Sequence, residues 1–152
     1  MEHLIRNCRR EDLPELVELC ARHSMYEKCA YDKRYKEPLL EKAIFCEQPR
    51  LFCIVVEMNL KLVGFASYTF DFSTWDAQSF LYLDCLYLDH ESRGLGIGNT
   101  VIGKLVEIAT ANSCINIQWQ TPGWNERAIK FYHRVGGMSK KKERFTLKIS
   151  QD

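Results

Sequence analysis

The sequence predicts an α/β fold, a mixed sheet flanked by helices in the order βααβββαβαβ, carried by one domain over residues 1–152. Three observations lead there. β-rich apolar runs alternate with segments of helical period. A buried strand ending at Leu88 is joined to an amphipathic helix by a loop with glycines at 94, 96 and 98. A chain of 152 residues suits one domain, which at this size buries about 70% of its unfolded surface.

Leu4 and Ile5 open a short first strand, and Glu11-Asp12-Leu13-Pro14 has the acids and proline of a helix start. Leu13, Leu16, Val17 and Cys20 line one face of that helix, which is expected to end near His23. Residues 24–36 form a polar connection studded with tyrosines, and long loops of this kind are often functional. A second helix follows from Pro38 to Cys46, with Leu39, Leu40, Ala43 and Ile44 apolar. Leu51–Glu57 and Leu60–Phe72 read as an antiparallel hairpin turning at Met58-Asn59. A turn around Trp75 leads into the strand Phe80–Leu88, then to the glycine loop and a helix ending near Asn112. Cys114–Gln120 is the next buried strand, Asn125–Val135 a last helix, and Glu143–Ile149 a weakly alternating final strand.

Composition narrows the function classes. The net charge of +1 gives no field that favours nucleic acid or an anionic membrane, so neither is expected as a partner. No apolar run reaches signal-peptide or membrane-span length, so a cytoplasmic setting is expected. Seven cysteines, without a C-x-x-C or a Cys/His cluster, read as reduced thiols, with Cys20, Cys53 and Cys114 as small core residues. No metal is expected.

The glycine loop is an anion cradle. Absent side chains let a ligand reach the backbone, and positive φ lets successive N–H groups converge. The helix start adds unpaired donors and the positive end of its dipole. Two linked phosphates suit it better than one carboxylate, while a glycine-rich turn with no ligand is the plain alternative. A Walker loop is excluded because Asn99-Thr100 follow Gly98, leaving no lysine. A dinucleotide fingerprint fits poorly, since the spacing is G-x-G-x-G and lies past the midpoint.

Arg93-x-x-Gly96-x-Gly98 after a strand resembles the coenzyme A loop of the GCN5-related N-acetyltransferases. A second run, Asn125-x-x-Ala128-x-x-Phe131-Tyr132 followed by glycine, also resembles that family, in the same order. The likeness covers about residues 51–147, and Leu81-Tyr82-Leu83-Asp84 with the loop is most similar to the polyamine and diamine acetyltransferases. The resemblance implies an acetyl-CoA-dependent enzyme in which Arg93, Gly94, Leu95, Gly96, Ile97, Gly98 and Asn99 hold the pyrophosphate. Main chain at Leu86, Tyr87 and Leu88 would pair with pantetheine where the strand bulges and splays, an N–H of Leu86 or Leu88 would serve the oxyanion, and Asn125 would bind the cofactor arm. A homodimer is expected from the same resemblance.

The chemistry asks for a base and an acid. An amine of pKa about 10 is neutral in roughly one molecule per thousand at pH 7, so a base is useful. Asp84 interrupts an apolar strand, and the resemblance places a carboxylate there, usually glutamate; the shorter aspartate favours a water-relayed path. Its alternative is a hydrogen bond to a neighbouring loop or cation. By resemblance Tyr132 protonates the leaving thiolate, the alternative being a core aromatic beside Phe131. Cys85 invites a thiol intermediate, yet direct transfer is the family habit and a buried cysteine the plainer reading.

A cationic amine needs carboxylates and aromatic faces, for which Glu27, Tyr31, Trp75, Asp76, Asp84 and Trp119 are the candidates. An ordinary solvated loop is the alternative. The expected activity is acetyl transfer to a diamine, polyamine or lysine-like amine. A protein or peptide N-acetyltransferase, or a non-catalytic acyl-CoA-binding sensor, are the rivals.

Overall fold

In a computed structural model, which describes residues 2–150, strand β1 (Leu4–Asn7) leads through a 3-10 turn into helix α1 (Leu13–Tyr26). Helix α2 (Lys36–Ile44), strands β2 (Phe52–Met58), β3 (Lys61–Ser73) and β4 (Gln78–Leu88), helix α3 (Ile97–Ala111), strand β5 (Ile117–Gln118) and helix α4 (Glu126–Arg134) follow. One compact unit ends at Pro122 and a second begins at Gly123.

The sheet of the first unit has the order β1-β2-β3-β4-β5. Its first four strands are antiparallel, and β5 pairs with β4 in parallel at Leu81↔Ile117 and Tyr82↔Gln118. The mixed α/β fold class is as the sequence predicts. The β2–β3 turn is a two-residue loop in which Asn59 and Leu60 both take positive φ, 51° and 63°, matching the twist of the strands it joins. Gly64 is required by closeness: a Cβ there would lie 2.6 Å from the Tyr87 carbonyl oxygen.

Side chains alternate across the sheet, and each face buries one helix layer. Ile54, Val56, Ala66, Tyr68, Leu81 and Leu83 pack with Ile97, Val101 and Leu105 of α3. Cys53, Val55, Phe65 and Tyr87 pack with Leu13, Leu16 and Leu19 of α1. Leu19, Val55, Leu81, Val101 and Leu105 are wholly buried, each contributing about 1.5–3 kcal/mol over the exposed state.

The corner before α1 is fixed by charge. Arg6 donates to both oxygens of Asp12 at 2.7 and 2.9 Å and to Glu57 at 2.8 Å, and Asp12 also accepts the Arg9 N–H at 2.7 Å. The Arg6 guanidinium holds the Asp12 carboxyl below its usual range.

Two predicted elements differ. Helix α1 runs one turn beyond His23, whose ring contacts Glu27 at 3.1 Å across that turn. The final strand expected at Glu143–Ile149 is absent, since residues 138–150 hold no strand and Phe145, Leu147 and Ile149 are exposed. Alternation gives a strand its two faces, but a ladder also needs a neighbour to accept its hydrogen bonds, which alternation alone does not supply. Strand β5 is also shorter than Cys114–Gln120, with only two residues paired.

Candidate active site

Strand β4 builds the site through a single irregularity. Ser67 faces Cys85 and Tyr68 faces Leu83, so Asp84 is one residue too many and forms a bulge. The insertion reverses the parity of the strand. Leu81 and Leu83 face α3 before it, Leu86 and Leu88 do so after it, and Cys85 and Tyr87 are turned towards α1. Asp84 is exposed, and its Oδ2 lies 3.7 Å from the Cys85 sulfur. Sequence reading places a bulge near Leu86–Leu88; it stands at Asp84.

Beyond Tyr82 the strand has no β5 partner, because the parallel pairing covers only Leu81 and Tyr82. Main chain from Leu83 to Leu88 therefore meets β3 on one side and leaves its other edge without a strand. An extended ligand arm fits such an edge by strand-like pairing.

The glycine loop continues from that edge. His90–Ser92 forms one 3-10 turn, closed by Ser92 N and Oγ donating to the Asp89 carbonyl at 3.0 and 2.8 Å. Gly94 and Gly96 then take φ of 77° and 78°, a left-handed geometry that side chains disfavour. Open space surrounds both, so conformation, not packing, calls for glycine. Gly98 lies within the first turn of α3, without positive φ. The first backbone bond of α3 runs from Thr100 N to Gly96 O at 3.3 Å, so the N–H groups of Ile97, Gly98 and Asn99 precede the ladder. Buried Ile97 anchors this helix start in the core, while Leu95 and Asn99 are exposed.

Arg93 does not extend into this cradle. Its Nε donates to the Leu88 carbonyl at 2.8 Å, and its guanidinium lies over the Tyr26 and Tyr87 rings at 4.9 and 5.7 Å. Arg22 reaches Asp89 at 3.2 Å, and His23 stacks on Tyr87 at 5.3 Å. Neither tyrosine contact was legible in the motif, which marks residue 93 only by its distance from the glycines.

The α1–α2 connection brings Tyr31 to the same face as Asp84. Tyr31 hydrogen-bonds Cys20, under the Lys36 ammonium at 5.3 Å from its ring, and the Asp84 charge is felt by both Cys20 and Cys85. Burial raises the Tyr31 phenol above its ordinary value and pushes Cys20 up to about 11. Burial, aided by the Asp84 charge, pushes the Cys85 thiol up to about 12, so it carries its proton at neutral pH and is a poor nucleophile. Glu27 is engaged by His23.

Other candidates are placed elsewhere. Trp75 is almost fully exposed and Asp76 closes the β3–β4 turn with Ser73. From Gln78, where the strand begins, to Asp84 the chain rises about 20 Å, so the hairpin tip does not share the surroundings of Asp84. Trp119 packs against the α3 core, on the sheet face opposite Tyr31. In the second unit, Asn125 is buried and its Oδ1 caps α4 at the Ala128 N–H, 3.3 Å away. Tyr132 lies beside Phe131, and its carbonyl accepts the Gly137 N–H at 2.9 Å where Gly136, at φ 98°, ends the helix. Among the described residues no group of three or more histidine, cysteine or acidic side chains could hold a metal, and no helix is long and apolar enough to cross a membrane.

Comparison with known proteins gives the family. The model of the acetyltransferase (GNAT) family matches residues 17–137. The thialysine N-epsilon-acetyltransferase of Bos taurus is 30% identical over 141 residues, covering 88% of this chain and 82% of the relative. The spermidine/spermine N(1)-acetyltransferase-like protein 1 of Homo sapiens is 27% identical over 141 residues, 88% of this chain but 20% of that one. A possible acetyltransferase from Clostridium difficile 630 superposes with a TM-score of 0.83 at 18% identity, covering 99% of this chain and all of the other, which shows the fold. A strand bulged at a carboxylate, an unpaired strand edge and a glycine cradle at a helix start therefore belong to a chain of the GNAT family, an N-acetyltransferase.

Proposed function

We propose that the chain transfers the acetyl group of acetyl-CoA to a primary amine of a small cationic substrate, a diamine, polyamine or lysine-like molecule, by direct attack. The observation that carries this reading is the bulge, which turns Asp84 to the face where Tyr31 and the α1–α2 connection lie. The pyrophosphate would rest on the amides of Gly94–Asn99, with the pantetheine arm along the open edge at Leu86–Leu88. Asp84, directly or through water, accepts a proton from the amine nitrogen. That nitrogen attacks the thioester carbonyl, an N–H of Leu86 or Leu88 steadies the oxyanion, and the C–S bond breaks. Tyr132 gives its proton to the departing thiolate and regains one from the acylated nitrogen, which sheds its second proton as the amide forms, and Asn125 would meet the cofactor arm. The thialysine and spermidine/spermine names among the relatives support the amine class.

Glu27, Tyr31 and Asp84 are the residues proposed to receive the cation. A cytoplasmic setting is supported by seven free cysteines, and a homodimer by exposed Phe145, Leu147 and Ile149, which sedimentation at a single-chain mass would contradict. Thiol release from acetyl-CoA, measured across lysine, thialysine, putrescine, spermidine and lysine peptides, tests the substrate class. Small cationic amines are expected to exceed peptides by at least about tenfold in kcat/KM, the gain of roughly one well-placed charge contact. Equal rates across the panel, or faster peptides, would contradict it.

A further inference from the structure

We infer that Tyr26 is a positioning residue that couples the coenzyme loop to the α1–α2 connection, so that a diphosphate bound at Gly94–Asn99 orders residues 27–36. The inference rests on the coenzyme reading above and goes beyond it. Tyr26 is the last residue of α1, and its ring carries the Arg93 guanidinium at 4.9 Å. Arg93 is also the residue just before Gly94, held to the Leu88 carbonyl through Nε. One side chain thus touches both the segment that would receive the coenzyme and the helix end from which the amine-binding connection departs.

The surrounding contacts make this a joint of small area. Arg22 to Asp89 and His23 on Tyr87 fasten the preceding residues of α1 to the end of β4. After Tyr26 the connection has two left-handed residues, Lys28 and Tyr35, and no regular structure between Lys28 and Arg34 beyond one turn. Its cationic side chains are exposed, with Lys33 on Glu18 and Arg34 on Asp32, both solvent-facing pairs of small worth. Glycine at 94 and 96 offers little backbone resistance to rearrangement, and an anion that collects the amides selects one geometry of the loop. Once the amides converge, Arg93 is fixed at the loop's first residue and its guanidinium is held over Tyr26, an attraction that exists only when that ring is in place. Coupling of this kind is reciprocal, so ordering of the connection raises coenzyme affinity by the same factor.

Lys33 and Arg34 are exposed trypsin sites inside the connection, which makes the coupling readable without the amine. Full-length protein is digested with and without coenzyme A, while calorimetry records coenzyme A binding by the same preparations. In wild type and in Tyr26→Phe, which keeps the ring face, coenzyme A is expected to slow cleavage at Lys33 and Arg34 about five- to tenfold. In Tyr26→Leu, which keeps bulk but no ring, coenzyme A is expected to bind with protection lost. Equal protection in Tyr26→Leu, or a wild type that binds coenzyme A without protection, would overturn the coupling. Absence of any heat with coenzyme A would instead overturn the coenzyme reading itself.

Discussion

Asp84→Asn is expected to lower kcat/KM at pH 7 by about 10²- to 10³-fold while leaving acetyl-CoA affinity unchanged. The carboxylate is proposed to take the proton from an amine that is almost wholly protonated at neutral pH, so the variant must wait for the rare neutral molecule. That dependence gives the loss a signature. As pH rises the neutral fraction grows about tenfold per unit until the amine pKa near 10, and the Asp84→Asn rate should climb with it, closing on wild type in alkali. Tyr132→Phe should lower turnover too, without this alkaline recovery, since a leaving thiolate is not made easier to protonate at high pH. A pH-rate profile of amine-dependent thiol release separates these outcomes. Loss in Asp84→Asn that is the same at every pH would point to disturbed geometry, and unchanged turnover in both variants would contradict the roles proposed for Asp84 and Tyr132.

The second large effect concerns stability. Asp12→Ala leaves the Arg6 guanidinium, only 13% exposed, with Glu57 as its remaining carboxylate and removes the acceptor of the Arg9 N–H. Stranding a buried charge costs about 3–5 kcal/mol, and the retained Glu57 contact sets the expectation near 3 kcal/mol. That is a large share of the roughly 5–15 kcal/mol available to a domain. Because Arg6 depresses the carboxyl in the fold below its usual 3.8, the stability it contributes is fully present above that value. It is lost as pH falls through the folded-state pKa. Urea unfolding should therefore show a wide gap between wild type and Asp12→Ala at pH 7 and a narrower one below about pH 4. A gap under about 1 kcal/mol at pH 7, or one that widens in acid, would contradict the assigned role of this ion pair.

The parts of the molecule that were legible in the sequence are those that local chemistry fixes. Glycines at 94 and 96 were legible because no other residue takes their backbone geometry cheaply. The faces of α1 and α3 were legible because Leu13, Leu16, Val101 and Leu105 recur at helical spacing. What escaped depends on partners remote along the chain. Asp84 was picked out by its charge in an apolar strand, but its outward turn follows from the register of β3, where Ser67 and Tyr68 leave one residue of β4 over. The Arg93 contact with Tyr26 joins the end of α1 to a loop that four further elements separate from it, and no spacing rule reports it. Trp75 and Asp76 have the composition of a cation pocket, yet they sit at a hairpin tip because β3 and β4 are both long. Trp119 has the same chemistry and is spent on the α3 core. Phe145, Leu147 and Ile149 have the alternation of a strand without the neighbour that would make them one.

Calorimetric titration of acetyl-CoA into wild type and Gly96→Ala tests most directly whether bare main-chain amides capture the coenzyme. Wild type is expected to bind with a Kd well below about 1 mM. A Cβ at Gly96 meets no neighbouring atom, so Gly96→Ala should keep its fold; its loop is expected to relax from φ 78° in the free protein, and drawing it back for the coenzyme costs about 1–2 kcal/mol, a roughly five- to thirtyfold loss of affinity. No heat with wild type at millimolar acetyl-CoA, or equal affinity in a folded Gly96→Ala, would contradict the claim.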